Sequence, residues 1–242
     1  MLPAATPIPV FERTFSNRQI YSIFTPPLAA DAQFNLGEMY VNGEGVPQDY
    51  KEAAKWLTKA AKQGFADAQF NLGLMYDNGV GVPQDYKEAA KWFTKAANQG
   101  IADAQFNLGA MYDNGVEFPQ DHKEAAKWFT KAANQGIADA QYNLGVMYDK
   151  GVGVPQDYKE AAKWFTKAAN QGNANAQFRL GEMYATGKGV LQDCVRAYKW
   201  FNLLAVQGDK HAMHNRQIMV EMMSAGQIAQ VVLMNRNRYL VH

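Results

Sequence analysis

The stretch FADAQFNLGLMYDNGVGVPQDYKEAAKWFTKAANQG, residues 65–100, contains two helical patterns separated by a turn. In its first half, apolar side chains recur every three or four residues along one helical face: Ala68, Leu72, Met75 and Tyr76. The glycines and proline of residues 79–83 interrupt this pattern, because they favour turn conformations that other residues resist. A second apolar face follows, formed by Tyr86, Ala89, Ala90, Phe93, Ala96 and Ala97. The stretch therefore predicts an A helix, a turn and a B helix.

The predicted B helix carries signals for both of its ends. Asp85 is placed to cap the N-terminus, and Glu88 three residues later makes an Asp-led relative of the capping box. Gly100 is placed to end the helix in a left-handed conformation. The B helix is therefore expected to begin after residue 85 and to end before residue 100.

The same pattern recurs along the chain at an interval of 36 residues. Tryptophans stand at that interval, at Trp56, Trp92, Trp128, Trp164 and Trp200. So do a glycine inside the A helix (Gly37, Gly73, Gly109, Gly145 and Gly181) and the closing glycine (Gly64, Gly100, Gly136, Gly172 and Gly208). Helices this short are unstable alone and bury their apolar faces by stacking on the next pair. The chain is predicted to be an all-α solenoid of five helix-turn-helix repeats.

The repeats divide the chain into three parts. We place the repeats at residues 29–64, 65–100, 101–136, 137–172 and 173–208. Residues 209–242 lose the repeat signature and are expected to form two capping helices, with an apolar face from Ala212, Ile218, Met219, Met222 and Met223. Ser224 and Gln227 make a capping box for the last helix, whose inward face is predicted to be Ile228, Val231 and Val232. Residues 1–28 contain five prolines and are expected to be irregular, with a short helix possible over residues 16–24.

The glycine inside each A helix calls for a packing explanation. Glycine costs about 1 kcal/mol relative to alanine in a helix interior. We therefore expect the missing Cβ at Gly109 and its equivalents to let a neighbouring helix come close.

One repeat carries the residues Ala66, Asp67, Ala68, Leu72, Gly73, Tyr76, Gly79, Gly81, Val82, Asp85, Ala89, Ala90, Trp92, Ala96, Ala97 and Gly100. This spacing closely resembles the Sel1-like repeat family, a 36-residue relative of the tetratricopeptide repeat, over about residues 29–208. The resemblance implies a right-handed α-α superhelix whose A helices line a concave groove. It also implies an adaptor or scaffold that binds other proteins, without naming the partner.

Composition excludes several kinds of function. The 24 basic and 23 acidic residues leave a net charge of +1, which gives no general attraction to nucleic acid or to anionic membranes. A single cysteine, Cys194, excludes an intramolecular disulfide and a multi-cysteine zinc site. No stretch approaches the roughly 20 apolar residues of a membrane span. We favour a cytoplasmic location, and an export signal ending near Ala30, with a periplasmic or secreted protein, is the alternative.

The candidate groove is marked by A-helix positions that lie where the resemblance to the tetratricopeptide repeat places the concave surface. Two rows of them vary between repeats and a recurring asparagine row runs between the two, whereas the packing positions barely change. The groove positions form three rows: Asn35, Asn71, Asn107, Asn143 and Arg179; Glu38, Leu74, Ala110, Val146 and Glu182; Val41, Asp77, Asp113, Asp149 and Ala185. An asparagine amide both donates and accepts hydrogen bonds, so the first row could form hydrogen bonds with the backbone of an extended peptide. The apolar residues of the second row would line the middle of the groove. The alternative is structural, with each asparagine bonded to the adjacent A helix or copied by repeat duplication.

Other recurring residues are assigned to structure. The aromatic row of Phe34, Phe70, Phe106, Tyr142 and Phe178 is expected to pack between consecutive helix pairs, and the tryptophans between consecutive B helices. The aspartate row is interpreted as a solvated stripe. Repeat 3 departs from the others at Glu117, Phe118 and His122, either because this loop exposes Phe118 for specificity or through sequence drift.

No pattern indicates catalysis. His211 and His214 lie three residues apart, but only Asp209 offers a third metal ligand nearby, so a solvated face is the simpler interpretation. The chain contains no G-x-x-x-x-G-K-[ST], G-x-S-x-G or H-E-x-x-H motif. We therefore predict no catalytic residue, no metal site and no cofactor.

The sequence favours a non-enzymatic, monomeric scaffold that binds a protein or an extended peptide in the A-helix groove. Two alternatives stay open. The cysteine-rich branch of the family is linked to penicillin binding and hydrolysis, although this chain lacks the paired cysteines of that branch and any S-x-x-K motif. The other alternative is an immunity-like inhibitor of a cognate effector.

Overall fold

The computed structural model describes residues 29–239, and the side chains of residues 29–233 within that range. The described range contains twelve helices and no strand. The A helices are α1 (Ala30–Asn42), α3 (Ala66–Asn78), α5 (Ala102–Asn114), α7 (Ala138–Lys150) and α9 (Ala174–Thr186). The B helices are α2 (Tyr50–Lys62), α4 (Tyr86–Asn98), α6 (His122–Asn134), α8 (Tyr158–Asn170) and α10 (Cys194–Ala205), and α11 (Lys210–Met222) and α12 (Ala225–Tyr239) follow. The prediction of five helix-turn-helix repeats is confirmed.

The predictions for the first 28 residues, which are an irregular segment, a short helix and an export signal, lie outside the described residues. Across residues 29–239, every helix is too short or too polar to cross a lipid bilayer.

Each B helix begins at the predicted aspartate cap. The carboxylate of Asp85 accepts hydrogen bonds from the backbone N–H groups of Lys87 and Glu88, both at 3.0 Å. The backbone N–H of Glu124 likewise holds the pKa of the Asp121 carboxyl below its ordinary value. Bonds to orphan N–H groups stabilise the first turn of a helix, so local sequence is enough to set these starts.

The reciprocal half of the capping box is absent, so that part of the prediction is wrong. The side chain of Glu88 bonds to the ammonium of Lys91 at 2.9 Å instead of turning back toward Asp85. The backbone N–H of Asp85 donates to the carbonyl of Tyr76 at 2.9 Å. The A helix thus satisfies the donor that the glutamate would have satisfied in a full box.

Glycines end both helices of the repeat. The A helix α3 ends at Gly79, which has φ 69° and donates its N–H to the carbonyl of Met75. Beyond α4, Gly100 has φ 99°, and the N–H of Ile101 reaches the carbonyl of Ala96 at 3.2 Å. This six-to-one bond is the Schellman closure that a left-handed glycine permits, and it turns the chain into the next A helix.

Every helix from α1 to α11 packs against its neighbours in sequence. In the core of each repeat from the second to the fifth, a buried phenylalanine of the B helix contacts a glycine of the A helix. Phe93 is 1% exposed, and a Cβ added at Gly73 would lie 2.7 Å from two of its ring atoms. The expected close approach is therefore between the A and B helices of one repeat.

The aromatic rows are structural, as predicted, with one additional contact. Trp92 is 5% exposed and packs into the cluster that contains Leu57 of the preceding repeat and Leu72 of its own repeat. The ring of Phe70 lies 6.0 Å from that of Phe93, centroid to centroid. The phenylalanine row therefore packs within a helix pair in addition to the predicted packing between consecutive pairs, where the rings of Phe34 and Phe65 lie 4.9 Å apart.

The C-terminal cap confirms some predicted contacts and contradicts others. The capping box is present: the Ser224 N–H donates to Gln227 Oε1 at 2.9 Å, and the Gln227 N–H reaches Ser224 Oγ at 3.4 Å. Val231 is buried. The predicted inward residues Met222, Ile228 and Val232 are instead exposed, because within the described residues α12 contacts the stack mainly through α10.

Candidate functional site

The candidate site is the face formed by the variable A-helix residues, which we call the A face. It comprises Asn35, Asn71, Leu74, Asp77, Asn107, Ala110, Asp113, Asn143, Val146, Asp149, Arg179 and Glu182. All of these lie on the five A helices, and all except the exposed Asn35 are half-buried. The repeat therefore brings the predicted residues onto one face, while its packing contacts limit how much of each side chain is free.

The asparagine row behaves differently at different repeats. The amide of Asn71 donates to Glu38 Oε1 of the preceding A helix at 2.8 Å, which is the structural alternative at that position. Within residues 29–233, the side-chain amides of Asn107 and Asn143 have no hydrogen-bond partner. At the end of the row, Arg179 pairs with Glu182 of its own helix at 3.1 Å. The free amides of the row are thus those in the middle of the stack.

The apolar row is only partly available for contact. Leu74, Ala110 and Val146 are half-buried and pack against the core clusters of their neighbouring B helices. Their exposed atoms lie beside the asparagine row, one helical turn further along each A helix. This row can therefore contribute a narrow apolar strip, not an open hydrophobic groove.

The aspartate row is not simply solvated, which corrects the interpretation drawn from its regular spacing. Asp149 accepts an ion pair from Lys188 of the following repeat at 3.0 Å. This hydrogen bond raises the pKa of the Lys188 ammonium. Asp113 is bonded to Nδ1 of His122 at 2.8 Å. Within residues 29–233, the carboxylate of Asp77 has neither an ion pair nor a hydrogen bond.

A cleft of about 320 Å³ opens on the A face between repeats 2 and 3. Its lining residues are Asp77, Tyr86, Phe93, Asn107, Ala110, Met111, Asn114 and Val116. Three of these, Asp77, Asn107 and Ala110, belong to the predicted groove. Tyr86 was assigned to the core from its helical spacing, but it is 43% exposed at the start of α4. A residue at the first position of a helix can turn away from the packed face, so periodicity alone does not fix its burial.

The loop of repeat 3 differs in shape from its equivalents. A Cβ added at Gly81, Gly153 or Gly189 would overlap the backbone carbonyl of the first B-helix residue in the preceding repeat. Repeat 3 has Glu117 at this position, with a positive φ of 60°. Phe118 stacks on Tyr112 with ring centroids 4.4 Å apart and is half-buried, which contradicts the alternative that this loop exposes Phe118.

The remaining polar candidates have structural neighbours. Asp209 caps α11 by accepting the N–H of Ala212 at 2.8 Å, which occupies the carboxylate considered as a third metal ligand. His211 lies with Arg179 in a second cleft of about 420 Å³. The part of the chain with described side chains contains no group of three His, Cys, Asp or Glu residues placed to hold a metal ion. Cys194 is half-buried at the first position of α10.

Comparison with known proteins identifies the repeat. The Sel1 repeat model matches five consecutive segments: 30–65, 66–101, 102–137, 138–173 and 174–209. A protective antigen of uropathogenic Escherichia coli with an SLR fold is 40% identical and has a TM-score of 0.76, over 80% of this chain and 41% of the antigen. A Sel1 repeat protein from Oxalobacter formigenes is 37% identical with a TM-score of 0.70, over 81% of this chain and 79% of that protein. The chain thus spans about two fifths of the length of the antigen. The comparison with curated proteins returned no similar sequence.

Proposed function

Because the chain belongs to the Sel1 repeat family, whose repeats mediate protein interactions, we propose that it is a scaffold that binds an extended segment of a partner protein on the A face. The Sel1 repeat fold is typically a non-enzymatic scaffold. The proposed role therefore needs a binding surface and no reacting group.

The observation that carries this proposal is the pair of unpartnered amides at Asn107 and Asn143. Both are half-buried on neighbouring A helices, and within residues 29–233 neither amide is bonded to the protein, so both are available to a ligand. They stand one repeat apart, and Asn107 lines the cleft between repeats 2 and 3. The backbone of an extended chain offers alternating donors and acceptors that would satisfy both amides without a requirement for particular side chains.

The strength of such a contact is moderate for each repeat. A hydrogen bond contributes about 0.5–1.5 kcal/mol net. The narrow strip of Leu74, Ala110 and Val146 adds a limited apolar area. Useful affinity therefore requires several repeats to engage the same segment at once, which the fixed interval of the A helices allows.

The test is a pull-down from native lysate with the double variant Asn107→Ala and Asn143→Ala. Alanine removes the amides without adding charge and is a good helix former, so the fold should persist. The matched control carries Asn134→Ala and Asn170→Ala, two exposed asparagines at the ends of the B helices α6 and α8. Circular dichroism on all three proteins verifies that helicity is equal.

We expect the wild type and the control to retain the same partner and the A-face variant to bind it at least about fivefold more weakly, since two hydrogen bonds are removed. The bound proteins are identified by mass spectrometry. Retention of the same proteins by all three baits would show that the A face is not the binding surface.

A further inference from the structure

Lys188 shows how this fold holds a lysine side chain on the A face. Its ammonium lies 3.0 Å from Asp149 Oδ1 and 4.1 Å from the centre of the Tyr158 ring. The carboxylate supplies an ion pair and the aromatic face a cation–π contact. The Asp149 side chain is only 20% exposed, so the lysine covers much of it.

The same arrangement recurs two repeats earlier without the lysine. A shift of 72 residues places Asp77 in the position of Asp149, Tyr86 in that of Tyr158 and Val116 in that of Lys188. All three of these residues line the 320 Å³ cleft. The carboxylate and the aromatic ring are therefore both present, while the side chain that would bring the ammonium is replaced by a short apolar one.

The other two junctions between repeats do not combine a free aspartate with a tyrosine, as the junction of repeats 2 and 3 does. At the junction of repeats 3 and 4, His122 replaces the tyrosine and bonds to Asp113 itself. At the junction of repeats 1 and 2, Val41 replaces the aspartate. Within residues 29–233, Asp77 is thus the member of the aspartate row whose carboxylate has neither an ion pair nor a hydrogen bond.

Glu117 accounts for the space in front of Tyr86. In the equivalent loops, a glycine approaches the preceding B helix so closely that a Cβ would overlap the backbone carbonyl of its first residue. Glu117 carries a Cβ at this position, so its loop must stand further from the Tyr86 carbonyl than the Gly189 loop stands from that of Tyr158. The departure of repeat 3 from its siblings therefore coincides with the open cleft.

We propose that the cleft formed by Asp77, Tyr86 and Val116 binds a lysine side chain of the partner segment, whose ammonium makes the carboxylate and aromatic contacts that the Lys188 ammonium makes two repeats later. This inference rests on the proposed function, because the lysine belongs to the segment held on the A face. It adds a side-chain preference at one position: the ammonium contacts the Asp77 carboxylate, and the methylene stem lies along Val116 and the Tyr86 ring.

The experiment measures binding of a blocked pentapeptide, acetyl-Ala-Ala-Lys-Ala-Ala-amide, by NMR titration of the ¹⁵N-labelled protein. The matched probe replaces its lysine with norleucine, which keeps the stem and removes the charge. Three variants test the site: Asp77→Asn removes the carboxylate charge, Val116→Lys supplies an internal lysine, and Lys188→Val opens the equivalent site at Asp149 and Tyr158.

We expect the lysine peptide to perturb the amides of residues 77, 86 and 116 and to bind about tenfold more tightly than the norleucine peptide, since an ion pair and a cation–π contact are both involved. Asp77→Asn and Val116→Lys should each remove that tenfold preference. Lys188→Val should add a second set of perturbed amides near residues 149 and 158.

Equal binding of the two peptides, no binding of either, or perturbation confined to other residues would overturn the lysine site. So would an unchanged preference in Asp77→Asn. These outcomes are separable from failure of the scaffold role. If the asparagine double variant loses its partner while Asp77→Asn and Val116→Lys retain it, the A face binds without a lysine contact.

Discussion

Gly109 illustrates how a single missing side chain sets the distance between two helices. A Cβ added at this position would lie 2.8 Å from Cδ1 of Phe129, a side chain that is 1% exposed. A fully buried ring cannot move aside cheaply in a close-packed core. Glycine is therefore kept inside α5 for the contact with α6, at the expense of helix propensity.

We predict that Gly109→Ala destabilises the protein, although alanine is the better helix former. Overpacking costs about 1–3 kcal/mol and the gain in propensity is about 1 kcal/mol, so a net loss of about 1 kcal/mol is expected. Chemical denaturation followed by circular dichroism measures the change. Gly226→Ala is the control, because its Cβ would meet nothing within 4 Å and the substitution should be neutral or stabilising. A stabilised Gly109→Ala protein would refute the packing explanation.

The helices themselves are defined by caps that local sequence supplies. Asp49, Asp85, Asp121, Asp157 and Asp193 each cap one B helix through two backbone N–H groups. Because these bonds form between residues two and three apart, they do not depend on the rest of the stack. The same residue also joins the two helices of a repeat, since the N–H of Asp85 donates to Tyr76.

We predict that Asp85→Ala lowers the free energy of unfolding by about 1 kcal/mol, because two N–H groups at the start of α4 lose their acceptor. Asp85→Ser keeps an oxygen at the cap and should recover most of the loss. Thermal unfolding of the two variants beside the wild type provides the comparison. If alanine and serine proved equivalent, the carboxylate would be dispensable as a cap.

The stack as a whole is modular, because each helix from α1 to α11 packs against its neighbours in sequence. The described A and B helices repeat the same contacts in successive units, such as Phe70 with Phe93 and Phe106 with Phe129. Stability in such an array is close to a sum of repeat and nearest-neighbour terms. Removal of a complete repeat should therefore destabilise the protein less than removal of half a repeat.

We predict that deletion of residues 101–136 leaves a helical protein that unfolds cooperatively at a lower temperature. Residue 100 is then joined to residue 137, and Gly100 precedes an isoleucine exactly as Gly136 does. Deletion of residues 101–118 is the control: it removes α5 but leaves α6 without its partner, so it should cause loss of most of the tertiary structure. Circular dichroism melting curves distinguish the two, and equal behaviour of both deletions would contradict nearest-neighbour stacking.

The fold could be derived from the sequence in nearly all its elements, while the candidate site could be derived only in part. The A-face rows lie at equivalent positions of the five A helices, as the 36-residue interval implies, since a fixed repeat places equivalent residues on equivalent faces. The hydrogen bonds and ion pairs of these side chains were not predicted: Asn71 is bonded to Glu38, and two of the three aspartates are paired. Tyr86 was assigned to the core and is exposed beside the cleft.

The helices, their caps and their closing turns follow from the sequence because the contacts that define them join residues a few positions apart. The pairing on the A face depends instead on contacts between repeats. Lys188 reaches Asp149 only because the loop of one repeat lies against the A helix of the one before. A Cβ at Glu117 alters that approach at a single junction. Which carboxylate remains free therefore depends on how successive repeats pack together. Neither periodicity nor composition determines the distance between the loop of one repeat and the A helix of the one before.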